Sequence, residues 1–225
     1  TLMRRHATHP VRRFLLKRFW ASYARIICLS SRQLEDFVRF GIPRENLVFI
    51  TFGVDAKFFQ SPDVSSEEGL IVSVGRDAGR DYATLFRAAE LTNYKFIVVA
   101  GHKNIPHDMP IPANVSVFYN RSLAEIRDLY LRARLVVIVS KDAQRSDGSD
   151  CSGQTVTLDA LAAGKAVIAT RRSWITEYFI PDQDLVMVEP NNPEALARAF
   201  DSLWADAEKR KHLAKSGQAK VVAHY

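Results

Sequence analysis

Residues 134–170 read RLVVIVSKDAQRSDGSDCSGQTVTLDALAAGKAVIAT. The stretch opens on an apolar, β-branched run (134–140) and closes on another, KAVIAT (165–170), the composition of buried strands. Between them stand a Ser-, Gly- and Asp-rich loop and a segment, Thr155 to Ala163, with the apolar spacing of a short helix. Two strands joined through a helix pair in parallel, and strands apolar on both sides belong to a sheet covered on both faces.

The same alternation continues outward. GLIVSVG (69–75), KFIVVAG (95–101), VSVFY (115–119) and DLVMVE (184–189) read as further strands, and Tyr82 to Glu90 and Ser122 to Ala133 as helices. After the last strand, Asn192-Pro193-Glu194 supplies an N-cap, a first-turn proline and a first-turn acid. Leu196, Phe200, Leu203 and Trp204 then recur at the spacing of one buried helical face. The prediction is an α/β fold: a Rossmann-like, doubly wound parallel sheet over residues 69–225. A polar stretch at 61–68 reads as a linker. Residues 1–60 read as a remnant of a second α/β domain, with strands at 26–30 and 47–51, a helix at 31–40 ended by Gly41 and Pro43, and a basic helix over 1–25. Thr1 in place of an initiator Met adds the expectation of an upstream portion.

With 225 residues, 47% of them apolar and 25% charged, the chain can bury a sizeable core. That composition excludes disorder, a collagen repeat and a disulfide scaffold. The formal charge is +6, yet Arg4, Arg5, Arg12, Arg13, Lys17, Arg18 and Arg25 lie within the first 25 residues with no acid among them. The other 200 residues hold 24 basic and 25 acidic groups, so nucleic acid is not the favoured partner. A basic helix carrying Phe14, Leu15, Leu16, Phe19 and Trp20 suits the surface of an anionic membrane, and a solvated or domain-packed helix equally. No apolar run reaches the roughly 18 residues of a spanning helix, and the early arginines interrupt any signal-peptide core. Cys28 and Cys151, far apart in sequence, read as reduced thiols of a cytoplasmic protein.

Ligands of open parallel sheets sit at the carboxyl ends of the strands, so the loops there carry the chemistry. Gly75-Arg76-Asp77-Ala78-Gly79-Arg80 matches neither the dinucleotide nor the P-loop glycine pattern. Its Arg76 and Arg80 suit a diphosphate, because guanidinium forks pair with phosphate oxygens, and solvated surface arginines are the competing reading. The loop around Gly153, Gln154 and Thr155 opens a helix whose free amides form an anion site. Asp159 stands about 9 Å further along that helix, comparable to the span from a terminal phosphate to the ribose of a nucleoside diphosphate. A plain solvent-facing acid is its alternative. Asn120 and Arg121 are candidate lining for a nucleobase pocket, although Ser122 and Glu125 already make sense as a capping box. The six histidines show no metal-binding spacing, two cysteines cannot build a zinc site alone, and no hydrolase nucleophile elbow is present. Cys151 reads as an ordinary loop thiol.

Three passages in order resemble the retaining GT-B glycosyltransferases of the group 1 family. ARIICLSSRQLEDFVRFGIPRENLVFITFGVDAKFF is similar to the passage joining that family's two domains. VGRDAGRDYATLFRAA is similar to its glycine-arginine-to-lysine loop, and GQTVTLDALAAGKAVIAT to its donor-binding helix and following strand. The resemblance implies a C-terminal donor-binding domain with little of the N-terminal acceptor domain, where a catalytic histidine is expected. It assigns Arg76, Arg80, Gly153, Gln154 and Thr155 to the donor diphosphate and Asp159 to the ribose, with no cofactor and no metal required. The partners it implies are a nucleotide-sugar donor and a saccharide or lipid-linked acceptor, with limited turnover by the fragment alone. The family motif has two glutamates separated by seven residues. Here Cys151 stands in the first place and Asp159 in the second, so Asp150, Cys151 and Ser152 become the candidate sugar contacts. That substitution keeps a second reading open, a non-catalytic scaffold or ligand-binding module, and a third, a sugar-nucleotide epimerase.

Overall fold

The computed structural model describes residues 9–60, 67–142 and 150–225. Most of the expected linker and half of the polar loop between Ser140 and Gly153 lie outside the described residues. The chain first forms α1 (Pro10–Ala21), β1 (Ile26–Cys28), α2 (Ser31–Phe40), β2 (Leu47–Phe49) and the single turn α3 (Ala56–Phe59). It continues with β3 (Leu70–Gly75), α4 (Tyr82–Glu90), β4 (Lys95–Ala100), β5 (Val115–Tyr119), α5 (Leu123–Arg132) and β6 (Leu135–Ile138). The last third holds α6 (Gln154–Ala162), β7 (Val167–Thr170), α7 (Ile175–Tyr178), β8 (Val186–Val188), α8 (Pro193–Ala205) and α9 (Ala207–His224).

Six of these strands form one parallel sheet in the order β5-β4-β3-β6-β7-β8. The chain winds outward from β3 to β5, returns to the centre at β6 and winds out the other way to β8, the doubly wound arrangement. Alternate residues of the central strands serve opposite faces. Val72, Val74, Val136 and Ile138 share a core with Tyr130 of α5 and Leu158 and Leu161 of α6. Ile71, Leu135, Val137 and Val139 pack on the other side with Leu85 and Phe86 of α4 and Leu196, Phe200 and Leu203 of α8. Both faces are buried, which is why the strands read as continuous apolar runs.

The helix ends follow local chemistry. Asp81 accepts from the Thr84 amide to cap α4, Ser122 and Glu125 form the capping box of α5, and Asn192 caps α8 ahead of Pro193. Gly41 ends α2 in the left-handed region at φ 99°. Some boundaries differ from the sequence-based expectation. The basic helix is confined, among the described residues, to Pro10–Ala21, because Pro10 fits only its first turn and Ser22 closes its end. β1 and β2 are three residues each, and α6 begins at Gln154 because left-handed Gly153 (φ 92°) turns the chain into it. Trp204 packs against the same core as Leu196, Phe200 and Leu203 but stays half-buried at its edge, stacked on Tyr94 at 4.2 Å.

β1 and β2 make a separate two-stranded parallel sheet, packed with α2 and α1 around Ile26, Cys28, Phe37, Phe40 and Leu47. Side chains of α7 and the last residue tie this unit to the larger sheet. Glu177 accepts from the Ser31 amide (2.8 Å) and hydroxyl (2.7 Å), placing a carboxylate at the start of α2 where the helix dipole favours it. The Tyr178 hydroxyl donates to the Leu29 carbonyl and accepts from the Phe52 amide. Tyr225 stacks on Tyr178 at 5.1 Å, and its backbone carbonyl accepts from the Val54 amide.

Phe200, fully buried and in edge contact with Phe96 at 5.4 Å, tests how far the larger sheet depends on α8. Phe200→Ala is expected to cost about 3–5 kcal/mol of unfolding free energy, measured as a lowered urea midpoint at unchanged slope.

Candidate functional site

The winding of the sheet reverses between β3 and β6, and the loops after these two strands part to leave a crevice. A cleft of about 300 Å³ opens there. The β3 loop, from Gly75 to Arg80, forms one wall, and Thr155, Val156 and Asp159 of α6 form another. Val74, Val99, Leu123 and Ile126 give it an apolar stretch. Polar groups at the strand ends beside apolar side chains make a site suited to a ligand with a charged and a flat apolar part.

Arg80 is only 4% exposed, unusual for an arginine. Its side chain folds back over the end of β3, and a methyl group on Gly75 would stand 2.0 Å from its Nε. Glycine at 75 is what admits the guanidinium. Gly153 borders the guanidinium from the other side: an added Cβ would lie in ordinary contact with Arg80 Nη1 at 3.5 Å but would press on the Ile138 side chain at 2.9 Å, and its left-handed φ also favours glycine. Arg80 is thus wedged between the end of β3 and the start of α6. Its Nε forms an ion pair with Asp77 Oδ2 at 2.8 Å, and neither the buried Nε nor the buried Nη1 makes a well-aligned hydrogen bond among the described residues.

Arg76 differs in every respect. It is exposed at the mouth of the cleft and makes no ion pair or hydrogen bond among the described residues. Asp159 points into the same cleft from α6, equally without a partner there, and burial pushes its carboxyl up to about 7. Tyr130 lies close enough for its fully buried hydroxyl to feel the charges of both Asp159 and Arg80, and burial raises it well above the usual phenol range.

The fold therefore brings Arg76, Arg80, Thr155 and Asp159 to one cleft, with Arg121 at its rim. Arg121 pairs with Glu125 at 2.8 Å and lies over the Phe118 ring at 4.8 Å. Asn120 is exposed in a left-handed turn at φ 53° and does not line the cleft. Ser152 is buried, its hydroxyl donating to Asp77 Oδ1 at 2.6 Å. Asp150 is buried within electrostatic reach of Arg172, which donates to its backbone carbonyl. Cys151 is half-buried with its sulfur 3.7 Å from the Ser30 hydroxyl, and burial pushes its thiol up to about 11. A thiol held that high is protonated at neutral pH and a poor nucleophile. Gln154 begins α6 but sends its side-chain amide to the Leu29 carbonyl at 2.8 Å, linking the helix to the smaller unit. Among the described residues, no group of three or more His, Cys, Asp or Glu is placed to hold a metal ion.

The profile of the glycosyl transferases group 1 family matches residues 54–220, most of the chain and all of the residues around the cleft. The chain belongs to the group 1 glycosyltransferase family. Solved structures agree in fold. HepE from Anabaena, solved with UDP-glucose, superposes with a TM-score of 0.79 at 15% identity, covering 100% of this chain and 66% of its own. Sucrose-phosphate synthase from Thermosynechococcus elongatus gives 0.73 at 20% identity over 98% of this chain and 59% of that one. The C-terminal domain of the group 1 protein LpcC from Francisella tularensis gives 0.61 at 19% identity, covering 77% of this chain and 98% of that domain. The larger sheet is thus the C-terminal half of a GT-B fold, and the whole chain spans about two thirds of HepE. The comparison with curated protein sequences gave no match.

Two features of this group 1 glycosyltransferase cleft went unread in the sequence: the Asp77 carboxylate and the apolar wall. Asp77 had a local signal in its Asp-x-Gly spacing, since its Oδ1 accepts from the Gly79 amide at 3.0 Å as such turns do. The wall had none, because Val74, Val99 and Ile126 meet only through the tertiary fold.

Asp159 gives the cleft a pH signature. With its folded value near 7 and an unfolded value of about 3.9, the native state holds a proton that the unfolded chain has released between these limits. Stability from this group is therefore lost as pH rises through that window, at no more than about 1.4 kcal/mol per unit. Asp159→Asn removes the charged form, and its melting temperature is expected to exceed the parent's at pH 8 and to match it near pH 4.

Proposed function

We propose that this chain is the donor-binding part of a retaining glycosyltransferase that transfers a sugar from a nucleotide-sugar to a saccharide or lipid-linked acceptor. The observation that carries the reading is the buried Arg80 guanidinium at the start of α6 and the Asp159 carboxylate further along the same helix, with neither Arg80 Nη1 nor that carboxylate partnered among the described residues. A diphosphate supplies the anion that the guanidinium and the helix amides lack. A ribose cis-diol supplies the two donors that Asp159 lacks. The apolar stretch of Val74, Val99 and Leu123 is left for the base, with Arg121 beside it. HepE was solved with UDP-glucose and with UDP and glucose, which supports the same class of ligand here.

In the transfer step, charge accumulates on the departing nucleoside diphosphate. Arg76, Arg80 and the first-turn amides of α6 are positioned to stabilise it, which lowers the barrier more than equal stabilisation of the bound donor would. The group acting on the acceptor is expected outside this chain, so the isolated protein should bind donor and turn over poorly. Cys151, an uncharged thiol in place of an acid, favours one alternative: a relative that binds nucleotide without transferring sugar.

Calorimetry with UDP, GDP and ADP tests the reading directly. One of them should bind, Arg76→Ala and Asp159→Ala should each weaken it about tenfold, and affinity should rise from pH 6 to pH 8 as Asp159 ionises. A folded protein that binds none of the three removes the proposal.

Contact with an anionic membrane belongs to the same proposal. Val11, Phe14, Leu15 and Phe19 are each more than half exposed on α1, interleaved with Arg12, Arg13, Lys17 and Arg18. Among the described residues no helix is long and apolar enough to cross a bilayer, so the contact would be peripheral. The protein is expected to sediment with phosphatidylglycerol-containing liposomes and not with phosphatidylcholine alone, and Phe14→Asp should reduce the bound fraction.

A further inference from the structure

Among the described residues that line the cleft, Asp77 is the carboxylate that the function above does not use. An acid next to a site for two phosphates is at first sight a liability, since like charges repel. Its contacts give it a different meaning. Oδ2 pairs with Arg80 Nε at 2.8 Å, while Oδ1 accepts from the Ser152 hydroxyl at 2.6 Å and the Gly79 amide at 3.0 Å. Its backbone carbonyl accepts from the Asn104 side chain at 2.7 Å, and Asn104 in turn receives the Gly101 amide. One residue thus joins the loops that follow β3, β4 and β6.

The geometry points to Asp77 as the positioning residue of the donor site: it holds Arg80 by its Nε edge, so that the Nη edge faces the α6 N-terminus before any nucleotide arrives. The inference rests on the donor-binding reading above. Several observations converge on it. An arginine has two faces from which to bind, and Asp77 occupies the one that phosphate does not need. The negative charge of Asp77 is met by Arg80, Ser152 and the Gly79 amide, so little of it is left to oppose a phosphate. The loop is further fixed by Lys141, whose amide donates to the Gly79 carbonyl at 2.8 Å, and by the bridge between Arg80 and Ser140. Gly79 leaves no slack, because a Cβ there would stand 2.8 Å from the Ser152 hydroxyl. A cation fixed in advance pays no ordering entropy when the ligand binds.

Asp77→Asn separates positioning from simple charge. Asparagine keeps an acceptor for Ser152 and Gly79 but cannot pair with Arg80. Calorimetry would compare the nucleoside diphosphate that the parent protein binds with its free nucleoside. Positioning predicts about a tenfold loss for the diphosphate with the nucleoside within about twofold. Asp77→Glu, which restores the charge, should recover part of the loss. A diphosphate affinity that is unchanged or tighter overturns the inference, as does an equal loss for diphosphate and nucleoside. A second measurement needs neither the Asp77 variant nor a ligand. In the ligand-free parent protein, nitrogen–proton spectra should show a slowly exchanging arginine Nε–H resonance that is missing in Arg80→Lys. If no such resonance is found, Arg80 is not held in advance and the inference fails, whatever the nucleotide titrations show. A parent protein that binds no nucleotide, with the resonance present, instead removes the donor-binding reading alone.

Discussion

Burying a guanidinium is costly unless its donors find acceptors, and most of what surrounds the cleft follows from how this chain buries Arg80. The ion pair with Asp77 offsets the charge at one edge. The other edge lies against the first turn of a helix, the positive end of the dipole, where a cation is disfavoured. Glycine at 75 is needed to admit it at all. A fold arranged for stability alone would place a neutral or shorter side chain there. The unfavourable element makes sense when an anion is the missing component, since one phosphate answers the helix amides and the free guanidinium edge together.

The sheet is what makes that arrangement possible. Parallel strands put the ends of β3 and β6 side by side at the one place where consecutive connections diverge, so neither loop is covered by the other's crossover. The loops then reach each other through Ser152 and Asp77, and through the short antiparallel bridge at Arg80 and Ser140. The smaller unit enters the same network. Gln154 and Tyr178 both donate to the Leu29 carbonyl, and Cys151 touches Ser30, so the residues that open α6 also form the contact with β1 and α2. A displacement of the smaller unit would be felt first at the start of α6, where the anion site lies.

The fold was legible because its signals are local. Continuous apolar runs marked the strands, Asn192, Ser122 and Gly41 marked helix ends, and each acts within a turn of its own position. Strand lengths were less legible: IICLS and LVFIT read as strands of five residues but pair for three, since a two-stranded sheet offers partners over only that register. In the site, Arg76, Arg80 and Asp159 stood out as charges in strand-end loops or on the helix that follows. The burial of Arg80 and Ser152 did not, because it depends on loops more than 70 residues apart meeting at Asp77. Asn120 shows the reverse case. Its place after β5 made it a candidate, yet it stands exposed in a left-handed turn and does not line the cleft.

The two least comfortable groups in the cleft have opposite needs. Among the described residues, Arg80 Nη1 is a buried donor without an acceptor, and Asp159 is a half-buried acceptor without donors, raised to about 7 by its burial. They do not relieve each other. The first turns of α6 separate them. A single small anion could serve only Arg80, and a neutral sugar only Asp159. A ligand that serves both must carry negative charge at one end and vicinal hydroxyls at the other, about 9 Å apart along the helix. A nucleoside diphosphate meets that requirement with its pyrophosphate and ribose, and its base then falls toward the apolar wall that neither polar group needs.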